Sequence, residues 1–593
     1  MKGYGLSVFR GTEPERFEVE VIDVLHDFRP DQDLILIRTE HPVLETALTV
    51  AGMSGSPIYL DGGRLAGAYA YGWPFGKEPV VGATPIDKML EEMRRPVLPD
   101  LFPGSEPLPV QRQQRASHGN TRESSDRSPR LAGLAPYRGE GELPSATTAF
   151  DQHAERVGVH RGAHRPRGAE PASTPVMLGG FTDSTAAWLG DKLEPYGLVT
   201  LQTGGTGRNP DAADAPAGFV DGGPVGVQLI RGDVNATAIG TVTHVRGNKL
   251  VAFGHPMMNG GQLGLPTATA KVLHVLASQN RSFKIAEAIE PKGAMVHDRQ
   301  STIVVDDQLR ARTIPVKIRV HGVEGAPKTE WDIEVASHRV LSPTLTFAAL
   351  ANAVKATTSD QTDVVFRAKS RVEMEGQPPV EVEDRGFMPT GIADARALGQ
   401  LRAFPLMEVA FGNPFEETYV TRVDIDLHVR FARDVYRVVE AAVHSSEVDP
   451  GSTVDVYVTL QRLDEQPRVR VVPVRIPERA AGEEIELTVQ PGDSVDIETP
   501  QPENVEDLVE MVKDQMPATS LVASLELPTR GLSFRGQVVR ALPGSALDAL
   551  QLANDSGSGQ PFETQVRQEL DIDEVLVGDA DLDLQVREKP KGR

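Results

Sequence analysis

The 593-residue chain contains no cysteine. That absence removes disulfide staples, thiolate metal sites and a cysteine nucleophile together. It leaves the cellular compartment open. Aromatic residues make up only 5%, so cores must be built from Val, Leu, Ile and Ala. No apolar run of about 18 residues occurs, so the sequence offers no candidate transmembrane helix. No signal peptide is visible: the chain enters a strand pattern directly after Met1-Lys2-Gly3-Tyr4-Gly5. Basic charge is also short, with 61 Lys and Arg against 84 Asp and Glu, a net charge of −23. Phosphate backbones and anionic lipid both require a basic face, so no nucleic-acid partner is expected. The excess acid keeps a large chain soluble.

What is present is a β-rich, multidomain pattern. Within 1–96, Phe17, Val19 and Val21 alternate with Glu18 and Glu20, as in a half-buried strand. Leu34 to Ile37 is a second strand. Ile58 to Leu60, the turn Asp61-Gly62-Gly63 and Leu65 to Tyr71 read as a hairpin. Thr84-Pro85 is expected to cap a helix running to Arg94. Residues 97–174 are rich in Pro, Gly, Ser, Arg and Gln without periodicity, and read as a disordered linker. Its histidines His118, His153, His160 and His164 read as solvated. Strand patterns resume over 175–419, at Val225 to Ile230, Ala238 to Val245, Leu250 to Phe253 and Ile303 to Val320. A helix over Leu345 to Val354 is opened by Ser342-Pro343. Residues 420–593 alternate at Val423, Ile425, Leu427 and Val429, and again at Val454, Val456 and Val458. This suggests a C-terminal β-sandwich, with a helix capped by Asn504.

Chemistry concentrates in Gly52-Met53-Ser54-Gly55-Ser56-Pro57. A serine nucleophile needs an exposed hydroxyl and backbone N–H groups aimed at the developing oxyanion. Small residues around Ser54 allow so tight a turn, with the N–H groups of Gly52 and Ser54 as the oxyanion hole and Met53 facing away. A plain Gly-Ser hairpin turn would read the same over the hexapeptide alone. The Gly-x-Ser-x-Gly elbow of α/β-hydrolases is a different object, because it requires a helix after the serine, and Pro57 with its strand denies one. The base expected for Ser54 is His255, at the end of the strand Leu250 to Phe253. His244 is the runner-up; His41, His274 and His297 are weaker. Gly204-Gly205-Thr206-Gly207 lacks the Lys-Ser/Thr of a phosphate loop. Asp306-Asp307 and Asp571-Ile572-Asp573-Glu574 lack calcium-loop spacing. No metal and no cofactor is expected.

Gly52 to Pro57 with the hairpin to Ala68, then Gly82-Ala83-Thr84-Pro85-Ile86 and Met89-Leu90, resembles the SpoIVB serine peptidases. Ile239-Gly240-Thr241-Val242-Thr243 and Ala252-Phe253-Gly254-His255 resemble the segment carrying that family's histidine. The resemblance spans roughly 6–95 and 225–345. It implies a trypsin-like double β-barrel, with Ser54 as nucleophile and His255 as base. The halves stand in swapped order, serine before histidine, and no PDZ domain is evident. At the family's aspartate the chain reads Thr39-Glu40-His41-Pro42, so Glu40 is the nearest carboxylate and Asp298 a second candidate. A Ser-His pair without an acid is a further alternative. Ala68, Tyr69 and Tyr71, with Trp73-Pro74-Phe75, are expected to border the substrate pocket.

The expected fold class is therefore mainly β: a double barrel with permuted halves, a long disordered linker and a C-terminal β-sandwich-like domain. The expected function is a serine endopeptidase acting on a protein or peptide substrate, by limited or self-proteolysis in signalling. The family's export implies a periplasmic or secreted protein whose signal is missing, with a cytoplasmic one as the alternative. A second reading is an inactive or weak peptidase-like protein that binds peptides, and a third is an envelope-associated structural protein. Nothing in the sequence sets an oligomeric state.

Overall fold

The computed structural model describes residues 1–60, 62–73, 76–98, 101–102, 143–156, 168–203, 216–357, 363–389, 395–462, 465–495, 502–534, 537–539 and 560–588. The protein is mainly β. It divides into one compact unit of Met1–Leu134, Thr148–Val316 and Trp331–Asn352, and a second of Ala135–Thr147, Lys317–Glu330 and Ala353–Arg593.

The first unit begins with strands β1 (Lys2–Ser7), β2 (Glu15–Arg29) and β3 (Gln32–Glu40). A short helix α1 (Pro42–Ala47), strand β4 (Val50–Ala51), strands β5 (Pro57–Leu60), β6 (Arg64–Gly72) and β7 (Val80–Pro85), and helix α2 (Ile86–Met93) follow. The neighbours run β5-β1-β2-β3-β7-β6, and β6 pairs back onto β5. The sheet is thus a closed, six-stranded antiparallel barrel, open only where the end of β6 runs past β5, whose pairing stops at Ala68. Phe17 and Val19 point inward at 1% and 3% exposure while Glu18 and Glu20 point out, as the period-2 pattern predicts. Ile37, Ile58, Tyr69 and Val81 complete this core.

Next come helix α3 (Thr148–Arg156), strands β8 (Glu170–Pro171) and β9 (Thr174–Gly179), helix α4 (Asp183–Leu193) and strand β10 (Leu198–Gln202). A second group follows: β11 (Pro224–Gly232), β12 (Asn235–Arg246), β13 (Lys249–Ala252), β14 (Gly261–Leu276), β15 (Ser282–Arg299) and β16 (Thr302–Asp306). These run β12-β13-β16-β15-β14-β11, with β11 pairing back onto β12. This barrel is also closed. Both barrels join their strands in the same cyclic order: first, second, third, sixth, fifth, fourth. Strand β9 extends the second barrel by pairing with β12.

In the second unit, antiparallel strands Val364–Met374, Val380–Met388 and Val420–Phe431 form one group. Beyond them a four-stranded sheet and a six-stranded sheet share one hydrophobic core, with Val456, Val458 and Val472 from the first and Leu487, Leu521 and Leu525 from the second. Asn504 caps the helix Val505–Lys513 as expected, its side chain accepting from the Asp507 N–H.

Three expectations need correction. Within the supposed linker, 148–156 is a helix that buries Ala149, Phe150 and His153, and Glu170–Pro171 is a short strand; the helix's short apolar stripe was hidden among Arg and Gly. Residues 99–100, 103–142 and 157–167 of the linker, including His118, His160 and His164, lie outside the described residues. A boundary at 420 cuts between two paired strands, because Val423 to Val429 pair with 366–372 and not with the sandwich; alternation alone does not say which sheet a strand joins. Thr84 does not cap α2, whose first turn has no side-chain cap. Among the described residues no helix is long and apolar enough to cross a membrane.

Candidate active site

Ser54 sits in the turn between β4 and β5. Gly52 and Gly55 adopt φ of +90° and +99°, where a side chain is strained. A Cβ on Gly55 would stand 1.9 Å from the Thr241 carbonyl oxygen, so only glycine fits there. The turn is held at many points. Gly55 N–H donates to Tyr69 O at 2.7 Å, and Ser56 N–H donates to Met53 O at 2.9 Å. The Met53 side chain is fully buried in the hydrophobic core.

The second barrel grips the same turn through β12. Thr241 N–H donates to Ser54 O at 2.9 Å. The Thr241 hydroxyl donates to Gly52 O at 2.9 Å, and the Thr243 hydroxyl to Gly55 O at 2.7 Å. Against this scaffold, Ser54 Oγ is buried with no hydrogen-bond partner. The Ser54 N–H also meets no acceptor among the described residues.

His255 follows β13 as Ser54 precedes β5, so each candidate side chain lies just off a barrel strand. Phe253 has φ +70° and Gly254 +72°, a left-handed pair costly for a bulky residue. It turns the chain sharply against the serine barrel. The Thr84 hydroxyl, displaced from its expected capping role, donates to Gly254 O at 2.6 Å. Gly254 lies against Ala68 and Ala70 of β6. The His255 ring is 2% exposed. Its Nδ1 lies 2.9 Å from the Pro256 carbonyl. A carbonyl only accepts, so Nδ1 carries the proton. Nε2 is then a lone pair, buried and unpartnered. Burial lowers the ring's pKa to about 4, opposed by the Pro256 and Ala172 carbonyls, which favour a proton. The ring is neutral at pH 7. The Ala172 carbonyl lies beside the ring without hydrogen-bond geometry to Nε2.

Neither carboxylate orients this ring. Glu40 is exposed at the end of β3, in register with Glu18. Asp298 is buried but directed elsewhere: it accepts N–H bonds from Met257 (2.7 Å), Met258 (2.7 Å) and Gly260 (3.0 Å). It holds the loop after His255. Burial pushes its carboxyl pKa up, and those donors pull it down. At Nδ1, where the sequence leads one to expect a carboxylate, stands the Pro256 carbonyl.

The expected pocket border is closed. Ala68, Tyr69 and Tyr71 are all fully buried. Tyr69 Oη accepts from the Val50 N–H at 3.2 Å, an internal tie of the turn. Tyr71 alone faces the site, its ring 6.4 Å from that of His255. Trp73 is only half-buried, and Pro74 and Phe75 lie outside the described residues, as does Gly204 to Gly207. The other histidines serve elsewhere. His244 faces Asp221 at 3.1 Å, His41 caps α1 by accepting from Val43 N–H, and His274 is exposed. His297 is buried with both ring nitrogens unpartnered.

Lys284 was not anticipated. It is fully buried on β15 beneath the serine turn. Its Nζ donates to Ser7 Oγ at 2.9 Å and Thr241 Oγ1 at 3.2 Å. Ser56 Oγ lies 3.0 Å from Ser7 Oγ and donates to Met53 O at 2.7 Å. Burial without a counter-charge lowers the amine pKa to about 7. Among the described residues no group of three or more His, Asp or Glu is gathered to hold a metal.

Comparison with protein-family models, with curated proteins and with solved structures found no match.

Proposed function

We propose that the protein is a serine endopeptidase built as a trypsin-like double barrel with its halves in reversed chain order. One observation carries this reading. Ser54 Oγ and His255 Nε2 are both buried and both without a partner; Ser54 stands just before β5 of the first barrel and His255 just after β13 of the second. Buried polar atoms are rarely left unpaired; two such atoms of complementary chemistry, on segments interlocked through Thr241 and Gly55, fit a nucleophile and its base. His255 Nε2 takes the proton as Ser54 Oγ attacks a peptide carbonyl. The Ser54 and Gly52 N–H groups hold the oxyanion. The proton passes to the leaving amine, and water hydrolyses the acyl-enzyme.

A carbonyl behind the ring fixes the tautomer but adds no negative charge to steady the imidazolium. Without that charge the imidazolium is less stabilised and turnover falls, so slow, limited proteolysis fits better than digestion. The same feature favours the second reading, a weakly active or inactive scaffold that binds extended peptides. A fluorophosphonate probe separates them. Covalent labelling of wild type, lost in Ser54→Ala and much slowed in His255→Gln, is the expected result; a wild type that never labels would falsify the enzyme.

A further inference from the structure

A strand of the chain itself crosses this site. Glu170–Pro171 (β8) pairs antiparallel with the end of β6, Pro171 opposite Tyr71 and Glu170 opposite Gly72. Ala172 N–H then donates to Ala70 O at 2.7 Å. Two residues later the chain is fixed again: Thr174 N–H donates to Gly197 O at 3.0 Å, and Thr174 opens β9. The Pro175 ring packs against Gly52, 3.2 Å from where its Cβ would stand. The chain therefore touches β6 beside His255 on one side and the serine turn on the other. Only Ser173 and Thr174 separate those two contacts. The Ala172 carbonyl lies beside the His255 ring, as the Pro256 carbonyl does.

This is strand addition to a sheet edge, the way an extended peptide is bound. Pro171 fits because its register position lies between bonded pairs, where no N–H is required. The Ala172 methyl is 3% exposed and belongs to the core cluster of Met53 and Tyr69, a space for a small apolar side chain.

Resting on the peptidase reading, we propose that Glu170–Ala172 is an internal substrate strand and that Ala172–Ser173 is the bond cut. Ser54 Oγ attacks the Ala172 carbonyl carbon while His255 Nε2 takes its proton. The Ala172–Ser173 C–N bond breaks as that proton passes to the Ser173 nitrogen. Water then hydrolyses the Ser54 ester, leaving an Ala172 carboxylate and a free Ser173 amine. Until the cut, the strand fills the edge of β6 and shuts out other peptides. Substrates cleaved in trans share its chemistry: an extended segment with a small apolar residue before the bond.

The test is intact-mass analysis and N-terminal sequencing of full-length wild type and Ser54→Ala during incubation at neutral pH, with fluorophosphonate labelling alongside. A new N-terminus at Ser173 in wild type, absent from Ser54→Ala of equal circular dichroism, is the expected result. Wild type that stays intact yet labels at Ser54 overturns the internal cut and leaves the peptidase reading standing. Wild type neither cut nor labelled overturns both. Ser54-dependent cleavage at any other bond overturns the assignment of Ala172.

Discussion

Lys284 offers the sharpest test of the interlock beneath the nucleophile turn. Its amine is fully buried, and its pKa falls from 10.5 to about 7. The unfolded chain holds that proton up to about pH 10, whereas the folded chain loses it near pH 7. Between those values the unfolded state binds more protons, so stability rises with pH at about 1.4 kcal/mol per unit. The stabilisation is complete above the unfolded pKa and is lost as pH falls towards 7. Lys284→Met keeps the stem and removes the titration. Neither hydroxyl is orphaned: Ser7 keeps Ser56 within hydrogen-bond distance, and Thr241 still donates to Gly52 O. At pH 7 the variant avoids a deprotonation cost of about 4–5 kcal/mol and forgoes two hydrogen bonds of about 1 kcal/mol each. It should be more stable than wild type by about 2–3 kcal/mol at pH 7, with the gap closing by about 2.7 kcal/mol between about pH 7.5 and 9.5. Urea unfolding read by tryptophan fluorescence follows the right unit, since Trp73, Trp188 and Trp331 all lie in it. Tyrosines that burial pushes up are common to both proteins and cancel in the difference. Parallel pH curves for the two would refute the buried, uncompensated amine.

Acid should unfold the first unit early. Burial lowers His255, His153 and His297 to about 4 and His338 to about 3, against 6.5 unfolded, so stability present above pH 6.5 is lost as pH falls towards 4. The slope approaches about 5 kcal/mol per pH unit for the four together; a melting temperature unchanged between about pH 7 and 5 would contradict it. Gly55→Ala forces a methyl to 1.9 Å from the Thr241 carbonyl at a positive φ. It should lower stability by about 3 kcal/mol or more and abolish probe labelling at Ser54; normal labelling would mean the two barrels do not interlock there. Asp298→Asn turns an amide NH2 towards one of three backbone N–H donors. A loss of about 2–3 kcal/mol is expected, together with labelling slowed without any shift in its pH profile, because Asp298 holds the loop and not the ring.

The sequence was most legible where backbone geometry restricts residue type. The tight turn could be read from Gly52 and Gly55, whose positive φ favours glycine, and the place of His255 from the apolar strand it follows. Lys284 was illegible for a physical reason. In Ser282-Phe283-Lys284-Ile285-Ala286 the hydrophobic pattern points Phe283 and Ile285 inward, yet the structure half-buries those two and encloses Ser282, Lys284 and Ala286. Strand β15 inverts the usual rule because its Lys284 face supports the serine turn of the other barrel, where a small polar network is needed. Long strands β14 and β15 were missed because Pro266, Pro291 and Gly293 sit at or beside register shifts, which break the period that sequence reading relies on. The partner of His255 Nδ1 was illegible because it is not a carboxylate. The group behind His255 is a main-chain oxygen, which any residue supplies and no motif records. The same limit explains β8. Glu170-Pro171-Ala172 carries no strand pattern, since its order comes from the free edge of β6 and not from its own side chains. A segment ordered that way makes few contacts of its own, as a bound substrate does, and this is why it looked like linker while lying across the proposed catalytic serine.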